Sequence, residues 1–366
     1  SALAPAALML QAGEAHAAAS TRAELAAVHS GSPAHQLLYK TDEFFIAHRG
    51  AGNISPEHTA YAYAESVRRG ALAVEISVRT TSDGQFVCMH DTNIKRTTGA
   101  SMDVRGHTLA ELRQHKVDMR QNLGEKTGLY DIPTLEEAIA AVDAVPAGGE
   151  YASVGGKKVV LFLEAKDGPA QAGLVKFITE RGLQRRTVIK MYRDGSGGFK
   201  PTSRYLKLAN SAGCATWCYF DGGDPIDKIS AMARHENVDA IGVPYYEKPT
   251  GASQGSMSEE NVRALTGLGK AVIVWEIHRR SAYEKYKALG VKGFMCPDPY
   301  WVIGDPFDAS VKIKTGQRPH GMLPADPSVA ADMPDLTGTA IVHNQRYDES
   351  VLLGPLANYT TREKYT

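Results

Sequence analysis

Phe44-Phe45-Ile46-Ala47-His48-Arg49-Gly50 and its echo, Phe86-Val87-Cys88-Met89-His90-Asp91, decide how this chain is read. Each is a short apolar run that reads as a strand and gives out at a histidine. The first continues into Ala51-Gly52-Asn53-Ile54-Ser55-Pro56-Glu57, a loop of turn-forming residues. Between them lies Val74-Glu75-Ile76-Ser77-Val78, an apolar strand broken by one carboxylate. Two histidines and a carboxylate at strand ends suit a phosphoryl or acyl transfer site better than a core.

Outward from these runs, strands alternate with helices. Strands are expected at 44–48, 71–78, 159–166, 187–192, 215–220, 240–245, 271–277 and 293–298. Helical patterns fall at 58–69, 134–142, 169–181, 224–235, 258–268 and 281–289. Thr134 is the expected cap of the second, with Glu136 and Glu137 in its first turn. Eight strand–helix repeats in about 250 residues is the count of a (β/α)8 TIM barrel. The rival, a doubly wound open sheet, would carry a Gly-rich dinucleotide turn that this chain lacks. Residues 86–90 are then a ninth strand, an excursion after the second barrel strand. The expected division is an N-terminal helical segment (1–43), a catalytic barrel (44–300) and a C-terminal extension of irregular or β structure (301–366). The first of these carries a helix start at Ser20-Thr21-Arg22-Ala23-Glu24-Leu25, and that short helix is expected outside the main core.

The bulk numbers narrow the function. The 366 residues are 43% hydrophobic and 22% charged, enough for a sizeable core. Lys+Arg and Asp+Glu both number 41, so no bulk attraction to nucleic acid is implied. No apolar run approaches the ~20 residues of a membrane span, and stable membrane insertion is not expected. Cys88, Cys214, Cys218 and Cys296 lack zinc spacing and read as buried thiols, with bridges open to a secreted chain. The alanine-rich start has no basic segment and is not an intact signal peptide; a secreted chain with its signal removed would look like this, as would a trimmed end, and secretion is the expected localisation.

Strand alternation then assigns side chains. Glu75 and Ser77, two apart, share the inward face, while Val74, Ile76 and Val78 face the helices. The same holds for Leu161-Phe162-Leu163-Glu164-Ala165-Lys166, where Glu164 and Lys166 point inward. Barrel enzymes place their chemistry at the C-terminal strand ends. A carboxylate buried there needs a partner, because leaving it alone costs several kcal/mol. Two inward glutamates suit a hard cation, Mg²⁺ or Ca²⁺. Lys166 and Arg49 suit a phosphate, one as a point charge and the other as a fork. His48 and His90 supply a base for the attacking oxygen and an acid for the departing one.

The set His48-Arg49-Gly50, Ser55-Pro56-Glu57-His58-Thr59, Glu75, Thr81-Ser82-Asp83-Gly84, His90-Asp91 and Glu164-Ala165-Lys166 closely resembles the glycerophosphodiester phosphodiesterase family. The resemblance runs over roughly 44–300 and is most specific in its first fifty residues. It implies a TIM barrel in which His48 and His90 are the acid/base pair and Glu75 and Glu164 hold one divalent cation, Ca²⁺ or Mg²⁺. It further implies that Arg49 and Lys166 hold phosphate, that Glu57 orients Arg49, and that Trp275 lines the pocket. Two positions depart from the family. Ser77 stands where the family has the Asp of Glu-x-Asp; either it binds the ion through its hydroxyl or a water, or another group substitutes, and metal affinity is expected to fall or the preferred ion to change. His58 stands where the family has Asn, and is expected to cap the next helix, the alternative being contact with substrate.

The expected activity is hydrolysis of a glycerophosphodiester, such as glycerophosphoethanolamine or glycerophosphocholine, to glycerol phosphate and an alcohol. It should show a bell-shaped pH profile and be lost on chelation. One alternative is phospholipase D-type cleavage of a lysophospholipid or sphingolipid head group, for which Phe220, Tyr245, Tyr246 and Trp275 either line an acyl groove or serve as packing. Another is a non-catalytic phosphodiester-binding module, produced by the Ser77 change. The expected partner is therefore a small-molecule or lysolipid phosphodiester, not nucleic acid.

Overall fold

Residues with an inward and an outward apolar face in every strand can close a sheet on itself. The computed structural model shows that closure. It describes residues 31–302 except 53–54, 69, 121–126, 147–155, 247–254, 278–279, 298 and 300–301. The strands are β1 (Phe44–Ala47), β2 (Ala73–Thr80), β3 (Phe86–Cys88), β4 (Val160–Ala165), β5 (Thr187–Tyr192), β6 (Ala215–Tyr219), β7 (Ala240–Pro244), β8 (Ala271–Trp275) and β9 (Gly293–Cys296). The sheet runs β1-β9-β8-β7-β6-β5-β4-β2-β3, and β1 also pairs with β2. Eight parallel strands thus form a closed barrel, and β3 lies antiparallel against the outer end of β2. This is a (β/α)8 TIM barrel with the expected ninth-strand excursion.

The helices that cover it are α1 (Ala60–Arg68), α2 (Leu135–Asp143), α3 (Ala170–Glu180), α4 (Arg204–Ser211), α5 (Ile226–Arg234), α6 (Glu259–Thr266) and α7 (Arg280–Ala288). All but α4 were expected. Ser203 caps it by accepting from the Leu206 N–H. Thr134 caps α2 as expected, in a reciprocal capping box with Glu137.

Alternation sorts the core into two layers. Val74, Ile76, Val78, Leu161 and Leu163 pack outward against the helices. Phe44, Ile46, Ala73, Val160, Phe162, Val188, Trp217, Ile273 and Trp275 fill the barrel. The large Trp217 is accommodated because β7 carries Gly242 beside it. A Cβ at Gly242 would lie 2.5 Å from Trp217 Nε1 and 2.4 Å from Tyr219 Cβ.

The expected Ser20 helix start and the extension 303–366 lie outside the described residues. Pro33–Lys40 is described. Its helical turns carry Ala34, Leu37 and Leu38 into the lower end of the barrel interior. All four cysteines are buried, and Cys88, Cys214 and Cys218 are free thiols. Among the described residues, no helix is long and apolar enough to cross a membrane.

Candidate active site

The chain leaves β1 through a tight left-handed turn. Arg49, Gly50 and Ala51 all have positive φ, at 56°, 76° and 63°. Two of them are not glycine, and such strain concentrates at functional sites. At Gly50 a Cβ would come 2.9 Å from that of Ala62, so α1 packs against bare backbone. The turn aims the Arg49 N–H at Glu75 Oε2, 3.2 Å away, and keeps His48 over the barrel mouth. The His48 ring lies between two carboxylates, with Nε2 3.9 Å from Glu75 and Nδ1 3.4 Å from Glu276.

His90 arrives from the other side. The β2–β3 hairpin turns at Thr81-Ser82-Asp83-Gly84, and Arg79 on β2 donates two hydrogen bonds to the His90 carbonyl, at 2.9 and 2.8 Å. His90 Nδ1 lies 2.8 Å from Asp91 Oδ1. Burial, with the nearby charges of Arg49 and Lys166, pushes His90 well below the ordinary histidine range. The ring is therefore neutral at pH 7. With Nδ1–H held by Asp91, the lone pair sits on Nε2.

The two histidines are joined by an ionic chain. Arg49 lies 3.3 Å from both His48 Nε2 and Glu57 Oε1. Glu57, fully buried, accepts a fork from Arg96 at 2.8 and 2.6 Å. Arg96 in turn donates to Asp91 at 2.7 Å. Glu57 thus holds Arg96 more closely than the Arg49 it was expected to orient.

Below the histidines, the inward carboxylates meet an ammonium. Register pairs Ser77 with Glu164 across β2–β4, and Glu164 with Lys190 across β4–β5. Lys190 Nζ lies 3.1 Å from Glu75 Oε1 and 2.8 Å from Glu164 Oε2. The Ser77 hydroxyl donates to Glu75 Oε1 at 3.1 Å, and the Tyr219 hydroxyl to Glu164 Oε1 at 2.6 Å. Lys166 lies 3.4 Å from Glu164 Oε1. Burial by itself would raise both carboxyls. The lysines override it, holding Glu75 well below the usual range and Glu164 at about 2.

This arrangement does not fit the expected divalent ion on Glu75, Glu164 and Ser77. Their oxygens already face N–H and O–H donors, and an ammonium stands between the two carboxylates. Among the described residues, no group of three or more His, Cys, Asp or Glu side chains could hold a metal ion.

Two expectations are corrected. His58 does not cap α1, because the Thr59 hydroxyl accepts from the Ala62 N–H instead. The His58 ring turns inward, with Nδ1 against the Tyr63 hydroxyl. Phe220 and Tyr245 do not face the mouth. Phe220 stacks on Phe199, and Tyr245 meets Tyr286, both on the helix side of the barrel wall. Trp275 and Tyr246 do belong to the interior, where Trp275 meets Tyr219 and Tyr246 edge-on. Asp298 lies outside the described residues.

The sequence reading missed Lys190, Tyr219, Glu276 and Arg96. The alternation that found Glu75 also marks Lys190 and Tyr219 as inward, and Glu276 directly follows Trp275. Arg96 gives no local signal.

His58 supports a pH prediction. Burial pushes its pKa down to about 3. Below about pH 6.5 the unfolded chain therefore binds a proton that the folded chain refuses. The resulting stability is lost as pH falls through that window. His58→Asn should spare the protein about 2–3 kcal/mol of the loss between pH 7 and 4.5. Urea denaturation at both pH values measures it, and parallel losses in both proteins would refute it.

Comparisons agree with the geometry. A model of the glycerophosphoryl diester phosphodiesterase family matches residues 48–189. The glycerophosphodiester phosphodiesterase of Caldanaerobacter subterraneus subsp. tengcongensis is 26% identical over 264 residues, which cover 70% of this chain and 95% of that protein. A probable glycerophosphodiester phosphodiesterase 1 of Mycobacterium tuberculosis is 50% identical over 72 residues, 19% of this chain and 26% of its own. An Oleispira antarctica phosphodiesterase, solved with sn-glycerol-3-phosphate, superimposes with a TM-score of 0.54 at 19% identity, over 71% of this chain and 95% of that one. The barrel, the matched family model and these relatives point the same way: residues 48–189 match the glycerophosphoryl diester phosphodiesterase family, and the chain is similar to its members.

Proposed function

We propose that this protein hydrolyses a small glycerophosphodiester, such as glycerophosphoethanolamine or glycerophosphocholine, to glycerol phosphate and an alcohol. The observation that carries this reading is the convergence of His48 and His90 above a buried Glu75–Glu164 pair at one rim of the barrel, joined through Arg49, Glu57, Arg96 and Asp91. Glycerol phosphate is also the product named for the Oleispira antarctica enzyme.

His90 is the base. Its Nε2 lone pair takes the proton of the attacking oxygen, which belongs to water or to the glycerol hydroxyl beside the phosphate. That oxygen forms the new P–O bond. The bond from phosphorus to the departing alcohol breaks, its electrons leave with the alcohol oxygen, and His48 supplies that oxygen's proton. If the glycerol hydroxyl attacks, the first product is a cyclic phosphate, which water then opens. Lys166 is the group available to meet the phosphoryl oxygens.

The interior favours a compact substrate over a lysolipid, because Phe220 and Tyr245 are spent on the helix layer rather than on an acyl groove. Rates on glycerophosphoethanolamine and on its lysophospholipid counterpart separate the two, and faster turnover of the compact diester is expected. Faster cleavage of the lysolipid would reverse the preference. Release of glycerol phosphate from no diester, with or without Ca²⁺, Mg²⁺ or Mn²⁺, would leave only the non-catalytic reading.

A further inference from the structure

The two carboxylates expected to share a divalent ion share an ammonium instead. Lys190 is buried, and its place is set by register, since its strand neighbour across β4–β5 is Glu164. Nζ bridges Glu75 Oε1 at 3.1 Å and Glu164 Oε2 at 2.8 Å. The faces of Trp217 and Tyr219 lie 5.6 and 5.3 Å from the same nitrogen, so it is enclosed on its open side by aromatic rings.

We propose that Lys190 is the resident cation of this site, and that the enzyme cleaves its phosphodiester without a bound divalent ion. The inference rests on the phosphodiesterase reading and deepens it.

Charge supports the exchange. The family pattern named above puts three carboxylates around a dication. This chain has Ser77 in place of one carboxylate and an ammonium in place of the dication. Either set carries a net charge of minus one, so the field at the barrel mouth is preserved when both changes are made together. The Ser77 hydroxyl agrees, because it is turned into Glu75 as a donor rather than outward as a ligand. A metal ligand offers a lone pair, and this hydroxyl offers its proton to a carboxylate that also takes one from Lys190.

Lys190 is in this scheme a positioning residue. It fixes Glu75, which holds the Arg49 backbone N–H and faces His48, and it fixes Glu164, which faces Lys166. A resident ammonium also differs from an exchangeable ion in kind, since no chelator can remove it.

The test is calorimetric titration of the EDTA-treated, dialysed full chain with CaCl₂, MgCl₂ and MnCl₂, alongside hydrolysis with and without EDTA. The wild type should show no saturable binding below about 1 mM, the weak end of the range for protein calcium sites. Its turnover should change by less than about twofold with EDTA, where a metal-activated hydrolase loses nearly all of its rate. The double variant Ser77→Asp/Lys190→Ala rebuilds three carboxylates and removes the ammonium. It should bind one divalent ion at least about tenfold more tightly than the wild type, a response that a purely structural lysine would not give. Stoichiometric binding of a dication by the wild type at micromolar concentration overturns the proposal. So does a loss of more than about tenfold in rate on chelation that added metal restores. Failure of the double variant to fold leaves the wild-type titration to decide. If the wild type cleaves no diester under any condition, the phosphodiesterase reading fails, while the titration still decides what cation the site holds.

Discussion

His90→Ala should lower kcat for glycerophosphodiester hydrolysis by about 10² to 10⁴, the usual worth of a positioned proton-transfer group. Three features make this loss large. The ring sits at the end of the β2–β3 hairpin with its carbonyl clamped by Arg79. Its Nδ1 is held by Asp91, so Nε2 is committed as the acceptor. Burial and nearby positive charge keep it neutral well below the ordinary histidine range. The last point fixes the pH dependence. A base with a lowered pKa stays in its working form as pH falls, so the acid limb of kcat/KM should lie below about pH 6.5. His48→Ala should cost a similar factor, and the double variant little more than either alone, because the two act in one step. Steady-state release of glycerol phosphate, with circular dichroism to confirm folding, measures all three. A folded His90→Ala protein that keeps half of its turnover would end the assignment.

Glu57→Gln should destabilise the protein by about 3–5 kcal/mol, as expected when one partner of a buried ion pair is removed. Glu57 faces two guanidinium groups, and no water can replace it, because the side chain is fully buried. Glutamine keeps the shape but gives the Arg96 fork one acceptor oxygen in place of two and leaves Arg49 and Arg96 facing each other without a negative charge between them. The melting temperature should fall by roughly 5–10 °C. Activity should also drop at temperatures where the variant is folded, because Glu57 lies midway along the chain linking His48 to His90. A loss below about 1 kcal/mol in denaturant titration would show that the link contributes little.

Much of this was legible along the chain because strands and helices have different periods. Inward and outward faces follow from alternation within a single strand, so Glu75, Ser77, Glu164 and Lys166 are legible as inward from their own strands alone. The histidines were legible because each ends an apolar run. Pairing across the barrel was not. Lys190 reads as inward by the same rule, yet a single lysine in Val188-Ile189-Lys190-Met191 does not announce which carboxylates it will meet. That depends on the stagger of β5 against β4 and of β4 against β2. His58 misled because its position before a helix suits a cap, while Thr59 beside it makes the same bond with a shorter side chain. Phe220 and Tyr245 misled because aromatic residues near a strand end serve a pocket or a helix interface equally well.

The sequence by itself determined the barrel, the two histidines and the acidic residues beneath them, because each depends on local period and on neighbours a few positions apart. Only the tertiary structure decided what neutralises those acids, and how His90 is tied to His48. Both rest on side chains brought together from strands and loops far apart in the chain: Lys190 between Glu75 and Glu164, and Arg96 between Glu57 and Asp91. A buried carboxylate must find a positive partner, but which partner is fixed by the register of the closed sheet and not by the residues beside it.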